Sequence, residues 1–175
     1  MADWTTPKTW QTGETLVASD MNTHIRDNLG ALKAPPTDTY ELNQGSDYTT
    51  TSTSFVDVDA TNLALTITTT GGDVLIGFYG SLRAAALLAV YFDVHESVAN
   101  ARIGGDDGII VTGLGAYAGL YNQLSVQFVR LVTGLAAGSH TFKLQWKVNT
   151  STVTLLAGAG TSGGDVHPQF WVREV

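Results

Sequence analysis

No cysteine occurs in the 175 residues, which excludes disulfide staples and thiolate metal sites. Charge is scarce too. Asp, Glu, Lys and Arg make up 14% of the chain, against roughly 25% in an average soluble domain. Only nine residues are Lys or Arg, the net charge is −7, and no basic cluster occurs. Neutralising phosphates needs a basic face, so the composition argues against nucleic acid and against an anionic membrane surface. No apolar run approaches the ~20 residues that span a bilayer. The opening MADWTTPKTW lacks the basic region and apolar core of a secretory signal, so the expectation is a chain made in the cytoplasm without a signal peptide.

What replaces charge is threonine, serine, asparagine and glycine, dense in YTTTSTS at 48–54 and TITTTGG at 66–72. Threonine is β-branched and suits strands, and glycine suits the turns between them. The length fits one ordinary domain. Candidate strands fall at 38–42, 54–58, 63–68, 73–82, 87–95, 108–111, 123–132, 140–148, 153–157 and 169–175. Many short strands without intervening amphipathic helices point to an all-β sandwich over residues 37–175.

Residues 1–36 differ and read as a separate arm with one helix. Within VASDMNTHIRDNLGALKAPP, Ser19 is a candidate cap, and Asp20 complements the positive end of the helix dipole. Met21, Ile25, Asn28 or Leu29, and Leu32 recur at a spacing of three or four and make one narrow apolar stripe. Gly30 weakens the helix, and Pro35–Pro36 stop it. About four turns of helix are marginal alone in water, so the stripe needs a partner. That partner is either the chain's own domain or the same helix in another copy at an oligomer axis. Trp4 and Trp10 precede the helix in a polar stretch and are the candidate points of attachment to a larger particle.

Alternation within the strands shows which faces are wet. In 140–148, Phe142, Leu144, Trp146 and Val148 share one face, and Thr141, Lys143, Gln145 and Lys147 share the other, which predicts a strand with one solvated face. In 87–95 and 73–82 both faces are apolar: Leu88, Val90, Phe92 and Val94 oppose Leu87, Ala89 and Tyr91, while Val74, Ile76 and Phe78 oppose Leu75 and Tyr79. A two-layer sandwich buries one face of each strand. The second face then needs a cover, and obligate interfaces between copies have this composition. Leu75, Tyr79, Leu87, Ala89 and Tyr91 are therefore candidates for an oligomer interface, with Met21, Ile25 and Leu29 of the helix. The alternative cover is the arm or a long loop of the same chain.

Two resemblances follow. The segment KTWQTGETLVASDMNTHIRDNLGALK, above all TW-x-TGE (Thr9 to Glu14) and ASDMN-x-HIRDNL (Ala18 to Leu29), resembles the N-terminal stretch of phage structural proteins of the tail-fibre, head-fibre and capsid-decoration kind. The remainder is similar to jelly-roll domains of the tumour-necrosis-factor and complement-globular-head type, on GLAAGSHTFKLQW (Gly134 to Trp146) and on FWVREV (Phe170 to Val175), which suits a central last strand. Together they imply a jelly-roll β-sandwich that trimerises through aromatic and aliphatic faces about a threefold axis. The run Ala84–Ala86 and the loop Gly113–Gly119 have no counterpart in that pattern, which leaves strand order open.

No catalytic site is legible. His24, His95, His140 and His167 fall in no metal-ligand spacing, and no G-x-S-x-G elbow is present. Asp57 and Asp59 share a strand face beside a turn and read as solvated rather than as paired catalytic carboxylates. The turn GGDDG at 104–108 is the best place for a cation, through Asp106 and Asp107, but it lacks the order of a dedicated calcium loop and also reads as a plain hairpin turn. The apolar loop 113–121 carries Tyr117 and Tyr121, which suit partner or carbohydrate contact. The expectation is a non-enzymatic phage virion protein without cofactor or metal. Its partners would be copies of itself (a homotrimer), other virion proteins and a host-surface glycan. The alternative is a carbohydrate- or cell-surface-binding module.

Overall fold

The computed structural model describes residues 4–115, 123–158 and 166–175. Twelve strands are present among them: β1 (Thr37–Glu41), β2 (Tyr48–Thr50), β3 (Val56–Asp57), β4 (Ala64–Thr69), β5 (Gly72–Ala84), β6 (Leu88–Glu96), β7 (Ala101–Arg102), β8 (Ile110–Leu114), β9 (Gln123–Leu135), β10 (Gly138–Val148), β11 (Val153–Leu155) and β12 (Gln169–Glu174). All pairings are antiparallel, in two sheets. Sheet A runs β9, β5, then β12 and β11 end to end, then β1 and β2. Sheet B runs β3 and β4 end to end, then β10, β6, and β7 and β8.

The pairing is nested. The outermost pair is β1 with β12, the next is β4 with β10, then β5 with β9, and β6 with β8 lies innermost. A long antiparallel hairpin folded in this order, its members distributed over two sheets, is a jelly roll. This supplies the strand order that alternation alone left open. Two short strands, β2 and β7, were not anticipated; at three and two residues they are too short to carry a period.

Alternation explains the core. Phe142, Leu144, Trp146 and Val148 of β10 point inward and are at most 2% exposed, while Thr141, Lys143, Gln145 and Lys147 are half-buried on the other face. They meet Val74, Ile76, Phe78 and Leu82 of β5 and Val90, Phe92 and Val94 of β6 in one cluster. Phe78 lies 5.2 Å from Phe92 and 5.9 Å from Phe128, and Phe92 lies 6.1 Å from Trp146, centroid to centroid. The last strand, β12, is central, between β1 and β5.

The arm carries one continuous helical stretch: α1 (Ala18–Met21), a π-helical segment (Asn22–Asp27) and α2 (Asn28–Lys33). Its start corrects one expectation. Ser19 lies inside the helix, the N-cap position is Val17, and no side chain caps it. The helix ends at Lys33, just before Pro35–Pro36, as their chemistry requires.

Candidate functional site

The outer face of sheet A is a grid. Register places Thr37, Arg173, Leu75 and Leu131 in one row, Thr39, Trp171, Gly77 and Val129 in the next, and Glu41, Gln169, Tyr79 and Gln127 in the third. These positions alternate with core residues, so their side chains point away from the other sheet. The middle row has a hollow. A Cβ on Gly77 would lie 2.2 Å from the Trp171 ring, so glycine is what lets the indole lie flat across β5. Beside it Tyr79 is 43% exposed, Val129 64% and Leu131 46%. The β9 edge pairs with β5 and with no other strand among the described residues. An apolar patch beside an open edge strand is costly for an isolated molecule and usual at an interface.

The outer face of sheet B is different. Asp93 of β6 points outward yet is fully buried beneath the segment that follows β6. Its Oδ1 accepts from the Val94 and Gly104 amides at 2.7 and 2.8 Å, and Arg102 Nε lies 3.7 Å from Oδ2. Burial pushes its carboxyl up, against the pull of the two amides and Arg102. Alongside, Lys147 Nζ sits 4.9 Å from the Tyr91 ring and 4.6 Å from Phe55, and Arg102 also stacks on Phe55 at 4.9 Å. Charge and the chain's own segment cover the part of this face around Asp93, while Val111, paired with Tyr91, is 56% exposed.

The five strand residues singled out as one interface are therefore not brought together. Leu75 and Tyr79 lie on the outer face of sheet A, Ala89 and Tyr91 on the outer face of sheet B, and Leu87, 73% exposed, sits between β5 and β6. Trp171, Val129 and Leu131 belong with Leu75 and Tyr79. The alternation in β12 and β9 could have found them, but nothing local reveals that these strands flank β5.

The arm folds on itself through polar contacts. The Thr5 amide donates to Asn28 Oδ1 and Asn28 Nδ2 donates to the Thr5 carbonyl, both at 2.8 Å. Lys8 pairs with Asp20 and Glu14 and lies 4.7 Å over the Trp10 ring, while Trp4 is 43% exposed. Asn28 is the helix's one buried residue, whereas Met21, Ile25, Leu29 and Leu32 are 38%, 40%, 61% and 64% exposed. A cleft of about 650 Å³, lined by Trp4, Leu32, Pro35, Thr68 and Val175 among others, separates arm from sandwich.

The polar residues considered for chemistry are occupied structurally. Asp106 receives Arg102 at 3.0 Å, and its carbonyl receives Lys147 at 2.8 Å, so two cations already neutralise the turn where a metal would sit; Asp107 is exposed. Among the described residues, no three His, Asp or Glu side chains converge as metal ligands. Asp57 accepts from Gln145 at 2.7 Å. Asp59 closes a turn through the Thr61 and Asn62 amides at 2.8 and 2.9 Å and accepts the Tyr48 hydroxyl. Burial and that carboxylate push Tyr48 up to about 12. His24 Nδ1 faces the Thr6 carbonyl at 3.1 Å and His167 Nδ1 the Leu42 carbonyl at 3.0 Å. His95 is half-buried on the outer face of sheet B.

His140 is 3% exposed, with Nδ1 3.0 Å from Glu96 and Nε2 2.9 Å from the Ala136 carbonyl. Burial opposes its charge, but that carbonyl and Glu96 outweigh it and raise its pKa. Burial likewise opposes the Glu96 charge, yet the Ala99 and Val98 amides and His140 hold its carboxyl below the usual range. Tyr117 and Tyr121 lie outside the described residues.

No family model matches the chain, and no curated protein matches it in sequence. Among solved structures it is similar to the Eiger tumour-necrosis-factor protein of S. frugiperda, at 10% identity and a TM-score of 0.45, over 81% of this chain and 94% of that one. It is also similar to the chain forming T=1 particles derived from infectious bursal virus, at 12% identity and a TM-score of 0.35, over 81% of this chain and 36% of that one. For the Gx strain of infectious bursal disease virus the figures are 14% and 0.27, over 79% and 38%. The present chain thus spans about a third of the bursal virus chains.

Proposed function

We propose that this chain is a non-enzymatic structural part of a bacteriophage particle, a trimeric jelly-roll knob joined to the virion through residues 1–36, as a head or tail fibre tip or a capsid decoration. The observation that carries the reading is the outer face of sheet A. Leu75, Trp171, Tyr79, Val129 and Leu131 lie together on this face, the last three 43–64% exposed and the first two half-buried. Interfaces that hold subunits together permanently have this make-up, and copies of one chain close such a surface by symmetry. The resemblance of Lys8–Lys33 to the leading segment of phage fibre and decoration proteins supplies the particle. Sedimentation of the purified protein at micromolar concentration tests self-association: a three-chain species is expected, and a monomer overturns the reading.

A second reading rests on Trp171 and Tyr79, aromatic residues at diagonal positions on one sheet face, a surface that also suits sugars. It makes the chain a carbohydrate- or cell-surface-binding module. The two readings compete for the same face. A glycan array gives binding that Trp171→Ala abolishes if sugars take it, and no such dependence if a neighbouring copy does.

A further inference from the structure

The arm helix is built inside out. Its polar residue Asn28 is buried against Thr5, while Val17, Met21, Ile25, Leu29 and Leu32 are 38–64% exposed. An amphipathic helix that served its own domain would show the reverse. The π-helical segment Asn22–Asp27 adds a second observation. In an α-helix of 3.6 residues per turn, side chains four apart drift by about 40° per step around the axis. The wider π turn holds more residues, so steps across Asn22–Asp27 swing back against that drift and keep Met21, Ile25 and Leu29 near one face.

We infer that this straightened stripe docks against the same stripe of another copy, so that neighbouring arms are held helix to helix. The inference rests on the self-association proposed above and names a contact that reading does not supply. Two features favour a copy of this chain as the occupant. The exposed stripe, with Leu16, holds large apolar side chains that are 38–64% exposed, the make-up of the buried core of an interface between copies. The helix also carries Asp20, Arg26, Asp27 and Lys33, a net charge of zero, whereas the whole chain carries −7. Like helices can therefore approach without the repulsion that like sandwiches feel.

The absence of cysteine gives a clean test. Ile25→Cys places one thiol at the middle of the stripe, where parallel and antiparallel pairings both bring it near its counterpart. Val98→Cys, at a site 63% exposed in the turn after β6, is the control. Under mild oxidation of the full chain, Ile25→Cys should give about fivefold more covalent dimer than Val98→Cys, because docking raises the effective concentration of the thiols. Equal or lesser yield from Ile25→Cys overturns the inference, whatever else the arm binds. The Ile25→Asp, Leu29→Asp double variant should weaken self-association about tenfold with an unchanged circular dichroism spectrum. If the wild type is multimeric and this variant equally so, the arm contact falls and the sandwich reading stands. If the wild type is a monomer, both fall.

Discussion

His140 is a residue whose role depends on its being buried. It joins Ala136, in the turn between β9 and β10, to Glu96 at the end of β6, and Glu96 in turn accepts the Val98 and Ala99 amides at 2.9 and 2.6 Å. Glu96, with its folded pKa lowered, contributes stability above the unfolded carboxylate range and loses it as pH falls through the folded value. His140, with its folded pKa raised, contributes fully below its unfolded value and loses that contribution as pH rises through the folded one. The pair is thus most stabilising between about pH 4.5 and 6.5, with decline on the alkaline side governed by His140. His140→Ala should cost about 3 kcal/mol at pH 6 and flatten the loss between pH 6 and 9, read from urea unfolding at both. An unchanged slope would mean that His140 does not titrate between the two pH values.

Gly77 is a second residue-scale case. Any side chain there collides with the Trp171 indole. Gly77→Val should lift the ring, cost about 1–3 kcal/mol and shift tryptophan fluorescence to longer wavelength, whereas a native spectrum would mean that the indole does not lie on β5.

At the scale of elements, we propose that the sandwich folds without the arm. The first buried hydrophobic residue of the core is Leu42, and the arm's own contacts are polar. A chain of residues 37–175 should therefore fold, with a melting temperature within about 5 °C of the full protein; failure of that piece to fold would show that the arm carries core energy. Strand period was readable because β10 is 11 residues long and alternates through Phe142, Leu144, Trp146 and Val148. The helix was readable from Met21, Ile25 and Leu32 and from the proline stop. The cap was not, because the N-cap position is Val17, whose side chain cannot accept a hydrogen bond. Strand order was out of reach as well: the pairing of β12 with β5 joins residues about ninety positions apart, and no local pattern records that. The composite face was missed for the same reason, since Trp171 and Val129 reach Gly77 from the two ends of that topology. Asp93 continues the outer face of Ala89 and Tyr91 yet is covered by the following segment, whose Gly104 amide reaches back to it.

At the scale of the whole molecule, the two sheets present opposite characters to their surroundings. Sheet B shows ion pairs and cation–π contacts over its own buried Asp93. Sheet A shows an apolar patch bordered by Arg173, Glu41, Gln169 and Gln127 beside an open edge, and the arm carries a second exposed apolar stripe. Both sit on a molecule whose net charge of −7 keeps copies apart until apolar contact offsets the repulsion. Self-association should accordingly tighten with added salt, as screening shortens the reach of that charge; weakening with salt would point to ion pairs as the adhesive instead. We propose that another copy covers the outer face of sheet A. It is tested most directly by the light-scattering mass of the Tyr79→Asp, Leu131→Asp double variant, with both changes on exposed side chains outside the core. The wild type should weigh three chains and the variant fewer, with its circular dichroism intact. A variant that keeps the full three-chain mass would contradict the claim.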